Sequence, residues 1–251
     1  MYPETMSFRS SDRAGPESSF PERIARLLSR IDCRRADTDD EREAIYRLRY
    51  EAYLREGAIP QSASKRFSDR YDEMPHAYLF GLYIDGELAS SIRIHVASKD
   101  HPDCLSLEAF PDILQPEIDA GKVIIDSTRF VSDKHLSQFH RGLPYATLRL
   151  TMVAAEHFHA DLVLAAVRVG HQAFYRRAVK MQLICGPRSY PNLTKPLCLM
   201  ASHYQTVVAE VRREYPFIAS TFFERQKLFG REPACSEQQP CKQQGKARRF
   251  G

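Results

Sequence analysis

Residues 77–96 read AYLFGLYI-DG-ELASSIRIHV, two runs rich in apolar, β-branched and aromatic residues on either side of Asp85-Gly86. An Asp-Gly pair between such runs predicts a tight type I′ hairpin, because both central residues of that turn need positive φ. Two antiparallel strands are thereby fixed, and the remaining segments must extend that sheet or cover it. Upstream, Pro21 suits the first turn of a helix whose Ile24, Leu27 and Leu28 share a face. A short strand follows at 31–35. Thr38 or Asp39 can cap a helix over 39–56, with Asp40, Glu41 and Glu43 in its first turn and Gly57 as its stop. Residues 58–75 are a polar loop. Residues 99–121 are loop with one or two short helices. Beyond them come a strand at 123–131, a helix at 144–159, a strand at 162–167 and a helix at 171–180. Two closing strands at 181–185 and 196–200, a helix at 205–214 and a helical segment at 220–228 complete the order. This order predicts an α/β fold with a mixed, mostly antiparallel sheet flanked by helices.

Length and composition agree with one folded unit. The chain has 251 residues, 43% of them hydrophobic and 27% charged, enough to bury a core without disulfide or metal staples. Residues 1–19 and 231–251 lack periodicity and are expected to be disordered, which leaves 20–230 as the domain. The formal charge is +4, but 231–251 holds five basic and two acidic residues, so 1–230 carries only about +1. A nucleic-acid role finds no support in that balance. No apolar stretch approaches the ~18–20 residues of a membrane helix, and the N-terminus has no signal-peptide core. The expectation is a cytoplasmic protein without an integral membrane segment, whose membrane contact would be transient. The six cysteines show no CxxC spacing and read as free thiols, and no metal site is expected.

Several short patterns carry chemistry. Arg49 and Tyr53 stand at i and i+4, on one face of the 39–56 helix. Asp69 and Asp72 lie in the polar loop, Arg93 in the second hairpin strand, and Asp126-Ser-Thr-Arg129 on the next strand. Phe174 and Tyr175 precede a basic turn and a strand. Gln138-Phe-His-Arg141-Gly142-Leu-Pro144 precedes a helix.

The ordered set of R-x-x-x-aromatic, D-x-x-D, Arg and acidic-x-[ST]-Arg resembles the N-acyl amino acid synthases of the FeeM type and the related acyl-homoserine lactone synthases. The resemblance covers about residues 40–200. The segment around Tyr175 is similar to the late motif of the wider GNAT acyltransferase superfamily. Lactone synthases usually carry a tryptophan soon after the first aromatic residue; this chain has none. It also has Asp126 where they have Glu and Thr128 where they usually have Ser. The resemblance to FeeM-type enzymes is therefore the nearer one, although the acyltransferases associated with exosortase systems share the early motif.

That resemblance implies a GNAT-like fold and transfer of a medium or long fatty acyl group from acyl carrier protein to the α-amine of an amino acid. Acyl-phosphopantetheine would be the donor substrate, and no bound cofactor is implied. Asp126 is a candidate base, with Asp69 and Asp72 as others. Tyr175 falls where a phenol can protonate the departing thiolate. Arg129 completes the catalytic set. Arg49, Tyr53, Asp69, Asp72 and Arg93 would bind the acceptor, or alternatively form an internal lattice of ion pairs. Arg141 and Gly142 match part of the superfamily's pyrophosphate loop, but Pro144 replaces its second glycine, which suits a donor presenting phosphopantetheine alone. Arg141, Arg149, Arg176, Arg177, Lys180 and Arg188 are candidates for docking the acidic carrier protein. Two alternatives remain open at this level: a lactone synthase using S-adenosylmethionine, and a non-catalytic module that binds carrier protein or lipid.

Overall fold

The computed structural model describes residues 18–230. The disorder expected of 1–19 and 231–251 lies outside the described residues for 1–17 and for 231–251, Cys235 and Cys241 included, whereas Ser19 is ordered as the cap of the first helix. The hairpin forms as its sequence requires: β2 (Ala77–Ile84) and β3 (Glu87–Ala97) pair antiparallel, with Asp85 at φ 52° and Gly86 at φ 88°. The other strands are β1 (Ile31–Arg35), β4 (Ile124–Ser132), β5 (Leu162–Val167), β6 (Gln182–Arg188) and β7 (Leu197–His203). They make one seven-stranded sheet in the order β1-β2-β3-β4-β5-β7-β6. Every neighbouring pair is antiparallel except β4 with β5.

The helices are α1 (Phe20–Leu28), α2 (Asp39–Arg55), α3 (Leu105–Ala109), α4 (Pro111–Asp119), α5 (Lys134–Phe139), α6 (Leu143–His157), α7 (Gln172–Val179), α8 (Tyr204–Glu214) and α9 (Phe222–Phe229). Ser19 with Glu22, and Thr38 with Glu41, form reciprocal capping boxes that start α1 and α2. Gly57, at φ 61°, ends α2 as the C′ residue. The six-residue α5 was not anticipated from the sequence; it has no buried residue, so no apolar periodicity announces it.

Alternation along the strands sorts the two faces. Val163, Ala165 and Val167 join the core beneath α6, while Leu162 and Leu164 pack on the opposite face with α3 and α4. α6 is enclosed on all sides, with twelve buried residues that include Arg149. On β3 and β4 the same alternation aims Ile92, Ile94 and Ile125 at the α6 side. It aims Arg93, His95, Asp126 and Thr128, all buried, the other way. That second face therefore carries a polar band beneath α2, the loop before β2, and α3. Among the described residues no helix is long and apolar enough to cross a membrane.

Candidate active site

Two polar regions form on this frame. In the first, the loop between α2 and β2 folds into a 3-10 turn, Arg70–Glu73, with Asp69 as its cap. The Asp69 carboxylate accepts from the Tyr71 N–H at 3.0 Å, and Asp72 accepts from the Asp69 N–H at 2.9 Å. This local chemistry sets the two carboxylates side by side, and three arginines meet them. Arg49 from α2 donates to Asp72 at 2.8 Å. Arg93 from β3 bridges both acids, at 2.5 Å to Asp69 and 2.8 Å to Asp72, and donates to the Thr128 hydroxyl at 3.1 Å. Arg129 from β4 donates twice to Asp69, at 2.7 and 3.0 Å. Arg49 and Arg93 are wholly buried. Burial alone would push the two carboxyls up, but the guanidiniums of Arg93 and Arg129 outweigh it at Asp69, and those of Arg49 and Arg93 at Asp72; both are held below the usual carboxylate range.

The second region lies where β4 and β5 part. Their parallel pairing ends at Ser127–Ala165. Between β3 and β4 the register slips: Ser91 faces Val131 and Arg93 faces Thr128, so two residues of β4, Arg129 and Phe130, stand opposite Ile92. This is a β-bulge, with Arg129 at φ 53°, a left-handed conformation costly for a residue with a Cβ. The strain is held in place from both sides: the Arg129 guanidinium grips Asp69 and lies 4.8 Å from the centre of the Phe67 ring. Past the bulge the strands diverge around a cavity of about 450 Å³. Its walls include Tyr53 of α2, Thr128 to Ser132 of β4, Val167 of β5, Tyr175 of α7, and Tyr190 and Lys195 of the loop between β6 and β7.

The sequence candidates therefore divide. Tyr53, Arg129 and Tyr175 line the cavity; Arg49, Asp69, Asp72, Arg93, Asp126, Arg141 and Gly142 do not. Of these candidates, Arg129 alone belongs to both regions. Tyr175 is buried, and burial together with the nearby Tyr53 pushes its phenol well above the ordinary value, so it stays protonated at neutral pH. Asp126 is fully buried, and its carboxylate accepts from the Ser106 hydroxyl at 2.6 Å and the Ser106 N–H at 3.1 Å. Burial raises its pKa, and the Ser106 hydrogen bonds and the charge of Arg93 only partly offset that effect. Tyr190, Lys195 and Arg168 also line the cavity and carry no motif that would have singled them out. Tyr190 follows a turn signal only, and Lys195 caps α2 by donating to the Glu56 carbonyl at 2.5 Å.

The loop before α6 departs from a pyrophosphate cradle. Leu143 donates its N–H to His140, Pro144 has none, and Tyr145 and Ala146 both donate to Gly142. The first turn of α6 has no free N–H for a phosphate. Gly142 is small for a packing reason: a Cβ there would lie 2.2 Å from Ile24 Cδ1 of α1. Arg141 is exposed. The docking candidates need one correction. Arg149 is inside the molecule, donating to the Phe217 and Ala219 carbonyls and paired with Glu224, because α6 is covered on the side where a surface helix would meet solvent. Lys180 is paired with Glu210 and Glu214, and Arg188 with Asp112. Among the described residues no three His, Cys, Asp or Glu side chains converge on a metal site.

The family model described as N-acyl amino acid synthase FeeM matches residues 44–203. The solved structure of FeeM, an N-acyl amino acid synthase from uncultured soil microbes, superposes with a TM-score of 0.60 at 20% identity, over 73% of this chain and 98% of that one. TofI, solved in a ternary complex with an inhibitor and MTA, gives 0.54 at 15% identity over 76% and 100% of the two chains. The acyl-homoserine lactone synthase LasI gives 0.51 at 15% identity over 80% and 94%. At these identities the structural likeness speaks for the GNAT-like fold. No curated protein matches the chain by sequence.

Proposed function

The chain belongs to the FeeM family of N-acyl amino acid synthases and is an acyltransferase of the GNAT superfamily; from that premise we propose that it joins a medium or long fatty acyl group, delivered on acyl carrier protein, to the α-amine of an amino acid. The observation that carries the proposal is the cavity in the β4–β5 divergence, with the bulge on one wall and the neutral phenol of Tyr175 on another. A thioester carbonyl seated there meets backbone N–H groups turned out of the ladder at Arg129–Phe130. These donors stabilise the oxyanion that forms when the amine attacks. Collapse of the tetrahedral intermediate expels the pantetheine thiolate, and Tyr175 supplies the proton it needs. No covalent enzyme intermediate is required. Arg129 offers its positive charge to the acceptor carboxylate at the border of the two regions.

The start of α6 supports acyl carrier protein as the donor. A coenzyme A pyrophosphate is ordinarily held by free N–H groups at a helix N-terminus. Here the Leu143, Tyr145 and Ala146 N–H groups are used internally and Pro144 has none. Phosphopantetheine on a carrier protein makes no such demand. Purified protein is to be incubated with acyl carrier protein donors of several chain lengths and the twenty amino acids, and products read by mass spectrometry. An N-acyl amino acid supports the reading. Absence of one across the panel refutes it, and release of methylthioadenosine from S-adenosylmethionine would identify a lactone synthase instead.

A further inference from the structure

Asp126 is the carboxylate whose environment suits a base, yet it does not touch the cavity. Its way out is visible. Ser106, fully buried at the start of α3, lies against Asp126, and its Oγ is 3.4 Å from the Tyr190 hydroxyl. Tyr190 is buried and lines the cavity. Its loop is pinned: Leu193 donates its N–H to the Tyr190 carbonyl, and Thr194 donates its N–H to Ala58 at the end of α2.

We propose that Tyr190 touches the acceptor nitrogen and, through Ser106, relays the ammonium proton to Asp126. The inference rests on the acyltransferase reading above. The hydrogen-bond inventory fixes the direction. An ionised Asp126 only accepts, so the single Ser106 hydroxyl proton points to it. Ser106 can then only accept from Tyr190, which leaves a Tyr190 lone pair free to accept in turn. When an ammonium N–H donates there, three O–H bonds form and three X–H bonds break in one concerted shift. The ammonium proton goes to Tyr190 O, the Tyr190 proton to Ser106 Oγ, and the Ser106 proton to Asp126 Oδ1. The chain ends as a neutral amine, neutral Tyr190, neutral Ser106 and protonated Asp126, with no atom or charge left over. Long contacts of this kind shorten when the substrate arrives. The ionisable groups around the chain are Arg93 and His95 from β3, Arg129 from β4, and Cys104 ahead of α3. Arg93 favours the ionised carboxylate. His95 is kept neutral, its pKa pushed down to about 3 by burial and by Arg93.

The test compares Tyr190→Phe, Ser106→Ala and wild type in acyl transfer from carrier protein, as kcat and KM over a range of pH, with thermal unfolding to establish that each variant folds. Loss of general base catalysis predicts a fall in kcat of about 10²–10⁴-fold near neutral pH. KM for the acyl donor should hold. The deficit should shrink as pH rises past the amine's own pKa, where the nucleophile arrives already neutral. Ser106→Ala breaks the same chain one link further in and should show the same pH-dependent deficit, so the inference survives a failure of either variant to fold. A deficit equal at every pH marks a packing role and overturns the relay. Variants that match an active wild type at every pH overturn the relay alone, whereas a wild type that forms no N-acyl product overturns the acyltransferase reading and the relay with it.

Discussion

Asp69 and Asp72 are met by three guanidinium groups, whereas Asp126, also on the buried face of β3 and β4, accepts from Ser106 and sits beside the Cys104 thiol. The first two carboxyls are held below their ordinary range and the third is raised above it. Matched buried charges make a scaffold, because their proton affinity is spent on neighbours. An unmatched buried carboxylate keeps an affinity that a reaction can use. The residues that identify the family thus mostly hold the bulge in position, and the chemistry falls to groups on the far side of it.

The largest effect should come from breaking the matched side. Arg93→Met leaves Asp69 and Asp72 each short of a partner within the protein, a situation that costs about 3–5 kcal/mol. Urea unfolding should register a loss of that size. A loss under about 1 kcal/mol would mean that the ion-pair lattice is not what holds the loop to the sheet. On the unmatched side, Asp126→Asn keeps the shape of the side chain and removes its basicity. Transfer should fall by about 100-fold or more at neutral pH, with a smaller change in urea midpoint than Arg93→Met produces. A large stability loss with intact turnover would reverse the assignment of the two regions.

These regions were unequally legible in the sequence. All seven strands are legible from apolar runs and turn chemistry, and the spacing of Arg49 and Tyr53 places both on one face of α2. Spacing gives the face but not the partner: Arg49 reaches into the lattice and Tyr53 to the cavity wall. The bulge depends on how β4 pairs with β3 across more than thirty residues, and no local pattern encodes such a slip. Ser106, at the start of α3, and Tyr190, in the loop after β6, lie 84 positions apart. Each alone is an ordinary polar residue, and only the closed sheet brings them to Asp126. Arg149 misled for the opposite reason, since its charge suggests a surface that α9 and the segment before it cover.

Acid titration separates the regions by the sign of their contribution. The folded-state pKa values of Asp69 and Asp72 lie below that of an unfolded aspartate, about 3.9. Their stabilisation is complete above that value and is lost as pH falls through the folded values, because the unfolded chain then binds more protons. Asp126 works the other way. Its folded pKa is raised, so the stability it contributes is complete below about pH 3.9 and declines as pH rises through the folded value. Urea midpoints taken from pH 3 to 7 should therefore rise in wild type as acidification protonates Asp126 and fall again below about pH 3.9 as the unfolded chain takes up protons that Asp69 and Asp72 refuse, and Asp126→Asn should remove the rise and so lift the neutral-pH end relative to the acid end. An unchanged profile in that variant would place Asp126 among the matched charges.

The smallest effect tests the joint between the regions. α2 carries Arg49 into the lattice and Tyr53 to the cavity, then stops at Gly57, whose φ of 61° lets the chain turn back. Beyond that turn Ala58 accepts the Thr194 N–H at 2.9 Å, and the Gly57 carbonyl accepts the Thr194 hydroxyl at 3.1 Å. The loop that positions Tyr190 is thus anchored to the end of the helix that builds the lattice. A Cβ at position 57 would have space, with Lys195 Nζ at 3.6 Å, so the cost of Gly57→Ala is that of the left-handed backbone alone. About 1 kcal/mol is expected, a shift of roughly 2–4 °C in unfolding temperature for a domain of this size. If the anchor matters to the chemistry, the same variant should lower kcat more than it raises KM for the acyl donor, since it displaces Tyr190 and leaves the β4–β5 divergence intact. A temperature shift with unchanged kcat would instead show that the loop keeps Tyr190 in place without help from α2.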